Sequence, residues 1–259
     1  MNRKRIRQMN ASLLRRLTTR PAVYWMEPCR DILFALLEAQ NYIQRFAPLF
    51  NGSRLRCADV LALCRKDLCR LAPEPEEGWL LFTYDFARGT MFPDPANEER
   101  HSRHGAGAVF FLSLLQVLLD AERALLPADP LWQIDLPGEE EVADSPHRDS
   151  FRQFQRSCRR EFLYEMMRLG LEATPFRTLE HIAGVHFVAL SVARDLKKAG
   201  VNVDLALVSA SAAGHDIGKF GCRAGERVPY LHYHYTDLWF RRRHMADIGY
   251  VAANHSVWD

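Results

Sequence analysis

Thr178–Gly200 reads TLEHIAGVHFVALSVARDLKKAG, and Asp204–Lys219 reads DLALVSASAAGHDIGK. In the first stretch Ile182, Val185, Ala189, Val192, Ala193 and Leu196 recur at three- and four-residue steps, the period of an α-helix. Thr178 stands where a helix cap belongs, and Gly200 where a left-handed stop belongs. Its first four turns are apolar on most sides, so burial on most sides is expected there. In the second stretch Asp204 is a capping residue. The small side chains that follow predict a helix whose neighbours approach closely, up to Gly214. The expected architecture is helix packed on helix.

The same period extends outward. RQFQRSCRREFLYEMMRLGLEA, residues 152–173, is helical in pattern and is closed by Pro175. In the N-terminal half, Leu13 to Leu71 shows helical spacing, as in Ile32, Leu33, Leu36 and Leu37 and again in Val60, Leu61, Leu63 and Leu68. Val109–Leu119, interrupted by Ser113 and Gln116, reads as a buried helix. It is far shorter than the roughly 20 apolar residues that span a bilayer. The exception is GWLLFTYDF, residues 78–86, whose aromatic and β-branched content suggests a short strand. The fold class expected is therefore mainly α, an all-helical C-terminal bundle preceded by a mostly helical region with one short strand.

Two polar segments punctuate the chain, PDPANEERHSRH (93–104) and PGEEEVADSPHRDS (137–150). The second separates two apolar halves and is taken as the boundary between a region 1–150 of unassigned role and a domain 151–259. His101 and His104 fall in the first segment and read as solvated. No internal repeat is visible.

With 34 basic and 32 acidic side chains the formal charge is only +2, so no global field draws the chain to nucleic acid or an anionic membrane. The first twenty residues are basic, yet no apolar segment follows as a secretion signal requires. The six cysteines lack the paired spacing of a structural zinc site. Together these features point to a reducing, cytoplasmic setting.

Chemistry concentrates at the C-terminal end of the second helix. His215-Asp216 is followed by Ile217-Gly218-Lys219 and lies 34 residues after His181, which opens the first helix. Four further histidines occur between Val228 and Asp259. The order HIAGVHFVALSVA, AAGHDIGK and a later His-bearing helix resembles the HD superfamily of metal-dependent phosphohydrolases. The resemblance implies that His181, His215 and Asp216 ligate one or two divalent metals (Mn, Fe, Ni, Zn, Co or Mg), with Asp216 able to bridge two. A metal-bound hydroxide would then attack a phosphoester, with Asp216 and Lys219 as the catalytic residues and Lys219 also holding a phosphate oxygen. The substrate expected is a small phosphorylated molecule such as a nucleotide, with no membrane or nucleic-acid partner and with oligomerisation left open.

The ending NHSVWD, residues 254–259, resembles the HHExxDG stretch of the HD-GYP branch, with Asn254 in place of the first His. By that likeness His255 is a further ligand, and the ligand upstream is His232 or, second to it, His234. His244 fits no ligand position. The chain reaches Asp259 before the GYP signature or the last Asp that the resemblance implies, so 151–259 is expected to be an incomplete form of the domain.

Other residues carry weaker signals. His186, five residues beyond His181, points to another face and reads as a core histidine. Gly214 and Gly218 read equally as helix-end residues or as room for substrate. Arg242, within Arg241–Arg243, is a candidate for holding an anionic substrate, against the ordinary reading of a solvated helix face. Arg223, Glu226 and Arg227 lie in the loop after the His-Asp pair, and nothing in their spacing gives them roles. The reading kept beside the hydrolase is a catalytically weak module that binds metal or nucleotide and regulates a partner. Asn254 and the absent last Asp favour it, while intact His181, His215, Asp216 and Lys219 favour the enzyme.

Overall fold

The computed structural model describes residues 54–71, 78–125, 133–161, 163–174, 177–222 and 228–255. The expected helices of residues 13–53, Arg223, Glu226, Arg227 and the terminal Ser256–Asp259 lie outside the described residues. Those described are mostly helical and contain no strand. No helix among them is long and apolar enough to cross a membrane. The helices are α1 (Cys57–Leu71), α2 (Trp79–Met91), α3 (Glu98–Leu125), α4 (Arg148–Glu161), α5 (Leu163–Ala173), α6 (Thr178–Lys198), α7 (Leu205–Gly214), α8 (Val228–Arg241) and α9 (Ala246–Ala253). The chain forms two compact units, Met1–Gly89 with Asp94–Pro127 and Arg168–Pro175, and Thr90–Pro93 with Ala128–Met167 and Phe176–Asp259. The charged segment 137–150 thus belongs with the C-terminal helices.

In the first unit, residues 79–91 form helix α2, not the short strand expected from their aromatic content. The buried positions Trp79, Phe82, Thr83, Ala87 and Met91 keep the helical step, and the Thr83 hydroxyl donates to the Trp79 carbonyl one turn back. Composition signalled burial, and the period decided the conformation. The segment read as a polar loop is likewise helical from Glu98. His104 is buried against Trp79 and Phe82, with ring centroids 6.4 and 5.7 Å away, so it is not solvated. His101 packs at 5.3 Å on Phe86, and burial lowers its pKa. At the start of α1, Glu172 of α5 accepts hydrogen bonds from the Cys57 and Ala58 amides, capping the helix from a distance in sequence.

The second unit is built around α7. Asp204 caps it as expected, accepting from the Ala206 and Leu207 amides while also bonding Ser145 and His147. Because its side chains are small, α7 is buried against neighbours on several sides. A Cβ on Gly214 would stand 2.5 Å from the Phe240 ring and 3.3 Å from that of Phe154. Helix α6 begins at Thr178, but Arg177 holds the capping position and no side-chain cap bond forms, so the Thr178 cap is not realised. Its far end is as read. Gly200 adopts φ +85°, and the amides of Gly200 and Val201 bond back to the carbonyls of Lys197 and Leu196. His186 is a core histidine, hydrogen-bonded to the Ser209 hydroxyl at 2.9 Å.

The expectation that the first four turns of α6 are buried on most sides does not hold. Leu179, Ile182, Ala183, His186, Leu190 and Ala193 are buried, whereas Val185, Phe187, Val188, Val192 and Leu196 face outward.

Candidate metal centre

Four elements of the second unit bring their side chains to one point. His181 lies in the first turn of α6, His215 and Asp216 close the C-terminal end of α7, His232 lies in the second turn of α8, and His255 follows α9. Asp216 is 1% exposed. Its Oδ2 lies 3.1 Å from His181 Nε2 and 3.4 Å from His215 Nε2, and those two nitrogens are 3.1 Å apart. Its Oδ1 lies 3.4 Å from His232 Nε2 and 3.7 Å from His255 Nε2, which are 3.5 Å apart. One carboxylate therefore belongs to two triads, each completed by two imidazoles.

These spacings match a coordination polyhedron. Ligands at about 2.1 Å from a cation stand about 3.4 Å apart in a tetrahedron and about 3.0 Å apart when cis in an octahedron. The first triangle falls between the two values, and the second is close to tetrahedral.

Protonation points the same way. His215 Nδ1 lies 2.8 Å from the Ala212 carbonyl and His255 Nδ1 lies 2.7 Å from the Ala252 carbonyl. A carbonyl only accepts, so each Nδ1 donates, and in the neutral ring Nε2 then carries a lone pair. Those lone pairs converge on a carboxylate that has no proton to offer. Burial pushes the His181 and His255 pKa values down, so neutral rings are favoured there. Burial alone would raise the Asp216 pKa, but the hydrogen bond and charge of Lys219, whose Nζ lies 2.5 Å from Oδ2, act against it and help hold it below the usual carboxylate range. A pocket of acceptors around an ionised carboxylate suits a cation, and its location beyond the C-terminal end of α7 adds the negative end of a helix dipole. Four imidazoles to one carboxylate favour Mn, Fe, Co, Ni or Zn over Mg.

The scaffold fixing this geometry depends on two residues whose roles the sequence did not reveal. Thr236, fully buried on α8, accepts a hydrogen bond from the Gly218 amide and donates one to the His215 carbonyl, each 3.0 Å long. A Cβ on Gly218 would stand 1.8 Å from the His232 carbonyl oxygen and 2.4 Å from the Thr236 amide nitrogen. Glycine there lets the turn after Asp216 lie directly on the backbone of α8, and Gly214 lies under the Phe240 ring. Both are close-approach glycines, and neither leaves room for substrate. Thr236 had one available signal, its position one helical turn from His232 on the same face.

Of the remaining candidates, His234 is exposed and lies outside both triads, so His232 takes the place for which the two competed. His244 is exposed at φ 60° in the turn after α8. Arg242 is exposed ten residues beyond His232, about 15 Å along the helix at 1.5 Å per residue, and is not brought to the site. Its neighbours are engaged elsewhere, Arg241 with Asp237 and Arg243 with Glu161 and the Trp239 ring. The Asn254 amide donates to the Tyr250 carbonyl and is committed to its own helix. Compared with family models, curated proteins and solved structures, the chain matches none.

Proposed function

We propose that this chain is a divalent-metal-dependent phosphohydrolase that acts on a nucleotide or another small phosphoester. The observation carrying the reading is the sharing of Asp216, with one oxygen directed at His181 and His215 and the other at His232 and His255. The resemblance of the His…His-Asp-Ile-Gly-Lys pattern to HD phosphohydrolases implies the same activity. These five side chains would hold the metal, and a divalent cation so held supplies Lewis acidity that activates water near pH 7 and neutralises charge on phosphate oxygens.

The chain's own residues do the rest. The Ala212 and Ala252 carbonyls orient two of the imidazoles, and Asp216 keeps its charge within a buried site. Lys219, about one-third exposed, is the group able to leave Asp216 for a phosphate oxygen. Half-exposed His181 marks the open side from which substrate arrives. The free thiols among the described residues, Cys57, Cys64, Cys69, Cys158 and Cys222, fit a reducing compartment.

A second reading, a regulatory module that binds metal without turnover, draws on Asn254, which stands in the resembling pattern where a histidine would be and bonds its own helix instead. Elemental analysis of the wild type and of His215→Ala/Asp216→Ala, with hydrolysis of a generic phosphodiester and phosphomonoester alongside, separates the two. Near-stoichiometric metal lost in the double variant, together with metal-dependent turnover, is the expected result. Metal without turnover leaves the regulatory module, and no metal in either protein removes the ligand assignment.

A further inference from the structure

The two triads do not have equal access to the carboxylate they share. Lys219 Nζ lies 2.5 Å from Asp216 Oδ2, the oxygen directed at His181 and His215. Among the described residues no lysine or arginine contacts Oδ1, which faces the His232 and His255 rings alone. An ammonium therefore stands on one triad and not on the other.

The backbone fixes where Lys219 starts from. It lies in the short helical turn Ile217–Gly221, its amide donates to the Asp216 carbonyl at 3.0 Å, and Gly218 before it is pressed onto the backbone of α8. With the main chain held, only the side chain is able to move. The Lys219 side chain is 32% exposed and that of His181 52%, against 6% for His232 and 25% for His255. The ammonium thus sits at the open edge of the site, from which it can swing into water, while the enclosed triad requires no such movement. An ammonium and a divalent cation on the same buried oxygen exclude each other, because like charges at contact distance repel strongly where water is scarce.

We propose that Lys219 is a gate within the metal centre. The His232/His255 triad takes a divalent cation first, and the His181/His215 triad takes one only after the Lys219 ammonium has left Asp216 Oδ2. The inference rests on the metal-binding reading above and adds to it an order of loading and the residue that sets it. It also gives Lys219 a reason to be released toward a phosphate oxygen only in the fully loaded protein, where its place on Oδ2 is taken.

Titration of the metal-free whole chain with Co²⁺, followed by visible absorption and by equilibrium dialysis, tests the gate. The wild type is expected to bind about two equivalents in steps about tenfold or more apart. His181→Ala should remove the weaker step and His232→Ala the tighter one, which checks the order without touching Lys219. Lys219→Met keeps the length of the side chain and drops its charge. It should raise the weaker affinity about tenfold or more and change the tighter one less, while Lys219→Arg keeps the steps apart. A single step, a weaker step that belongs to the His232/His255 triad, or a weaker step that folded Lys219→Met leaves unchanged or lowers would each overturn the gate and leave the metal centre standing. A wild type that binds no Co²⁺ overturns the metal reading and the gate together, so the two failures are told apart.

Discussion

Two buried carboxylates, Glu122 in the first unit and Asp216 in the second, are treated differently. Glu122, fully buried in the first unit, takes the Leu55 amide on one oxygen and the Arg168 guanidinium on the other, while Arg168 also donates to the Leu55 carbonyl. Every contact has a hydrogen between its two heavy atoms, and Arg168 brings a permanent positive charge. Asp216 is equally buried, yet four of its neighbours are imidazole nitrogens, at least two of them presenting lone pairs. Donors make the first centre complete within the chain. At the second, Lys219 is the one permanent cation in contact among the described residues, and on the proposed reading the imidazole acceptors would be completed by a metal cation from outside. Burial of charge is common to both, so the discriminating feature is what the partners offer.

The largest expected effect cuts the closed centre. Arg168→Ala leaves Glu122 ionised and unpaired in a dry interior, which costs about 3–5 kcal/mol. Urea unfolding should report that loss while metal content stays at the wild-type level. Asp216→Ala should do the reverse, abolishing metal binding at a smaller cost to the metal-free protein. Equal stability losses in the two variants would erase the distinction between the centres.

Next comes Gly218→Ala. A methyl placed 1.8 Å from a backbone oxygen cannot be absorbed by a side-chain movement, so α8 must retreat from the turn at a cost of about 3 kcal/mol. That retreat withdraws His232 from Asp216 Oδ1 but leaves His181 and His215 on Oδ2. Metal titration should show the His232/His255 triad weakened more than the His181/His215 triad. Uniform loss from both, or none, would mean that the glycine does not set the spacing of the second triad.

His186 supplies a third case, an imidazole buried with a hydroxyl and no carboxylate in contact. Burial, helped by the charge of Arg194, lowers its pKa from 6.5 to about 4. Between those values the unfolded chain binds a proton that the folded chain refuses. Its contribution is therefore intact above pH 6.5 and is lost as pH falls toward 4, by about 3 kcal/mol in all. Denaturant midpoints of the wild type and His186→Gln should diverge at pH 7 and converge as pH drops through this window. Parallel curves would show that His186 is already protonated in the fold.

Most of the helical architecture was readable because it rests on local signals: the step of apolar residues in α6 and α7, the Asp204 cap and the Gly200 stop. The residues that meet at Asp216 were named through the resemblance of their order to the HD pattern, and a local feature accompanies two of them. His215 and His255 both follow helix ends that read Ala-Ala-x-His, Ala212–His215 and Ala252–His255, and in both the first alanine's carbonyl takes the Nδ1 proton. What escaped depends on partners far along the chain. Whether Trp79 lies on a strand or a helix, whether His104 meets water or Phe82, and whether Val188 is covered are questions about neighbours that periodicity does not name. Gly218 escaped for the same cause, because the atom that forbids its side chain belongs to another helix.

The smallest expected effect concerns Thr236, which joins the logic of the closed centre to the open one. Its hydroxyl accepts from the Gly218 amide and donates to the His215 carbonyl, so an ordinary donor-acceptor pair holds the turn on which the acceptor-rich site is built. Thr236→Val keeps the volume but leaves a buried amide and a buried carbonyl without that partner, a loss of about 1–3 kcal/mol. Thr236→Ser keeps the hydroxyl and gives up only a methyl group. If the hydroxyl positions His215 and Asp216, the valine variant should bind metal more weakly at a temperature where it remains fully folded, and the serine variant should recover wild-type affinity. Equal metal affinity in valine and serine variants would reduce Thr236 to a packing residue, and the positions of His215 and Asp216 would then rest on the Ala212 carbonyl and Lys219.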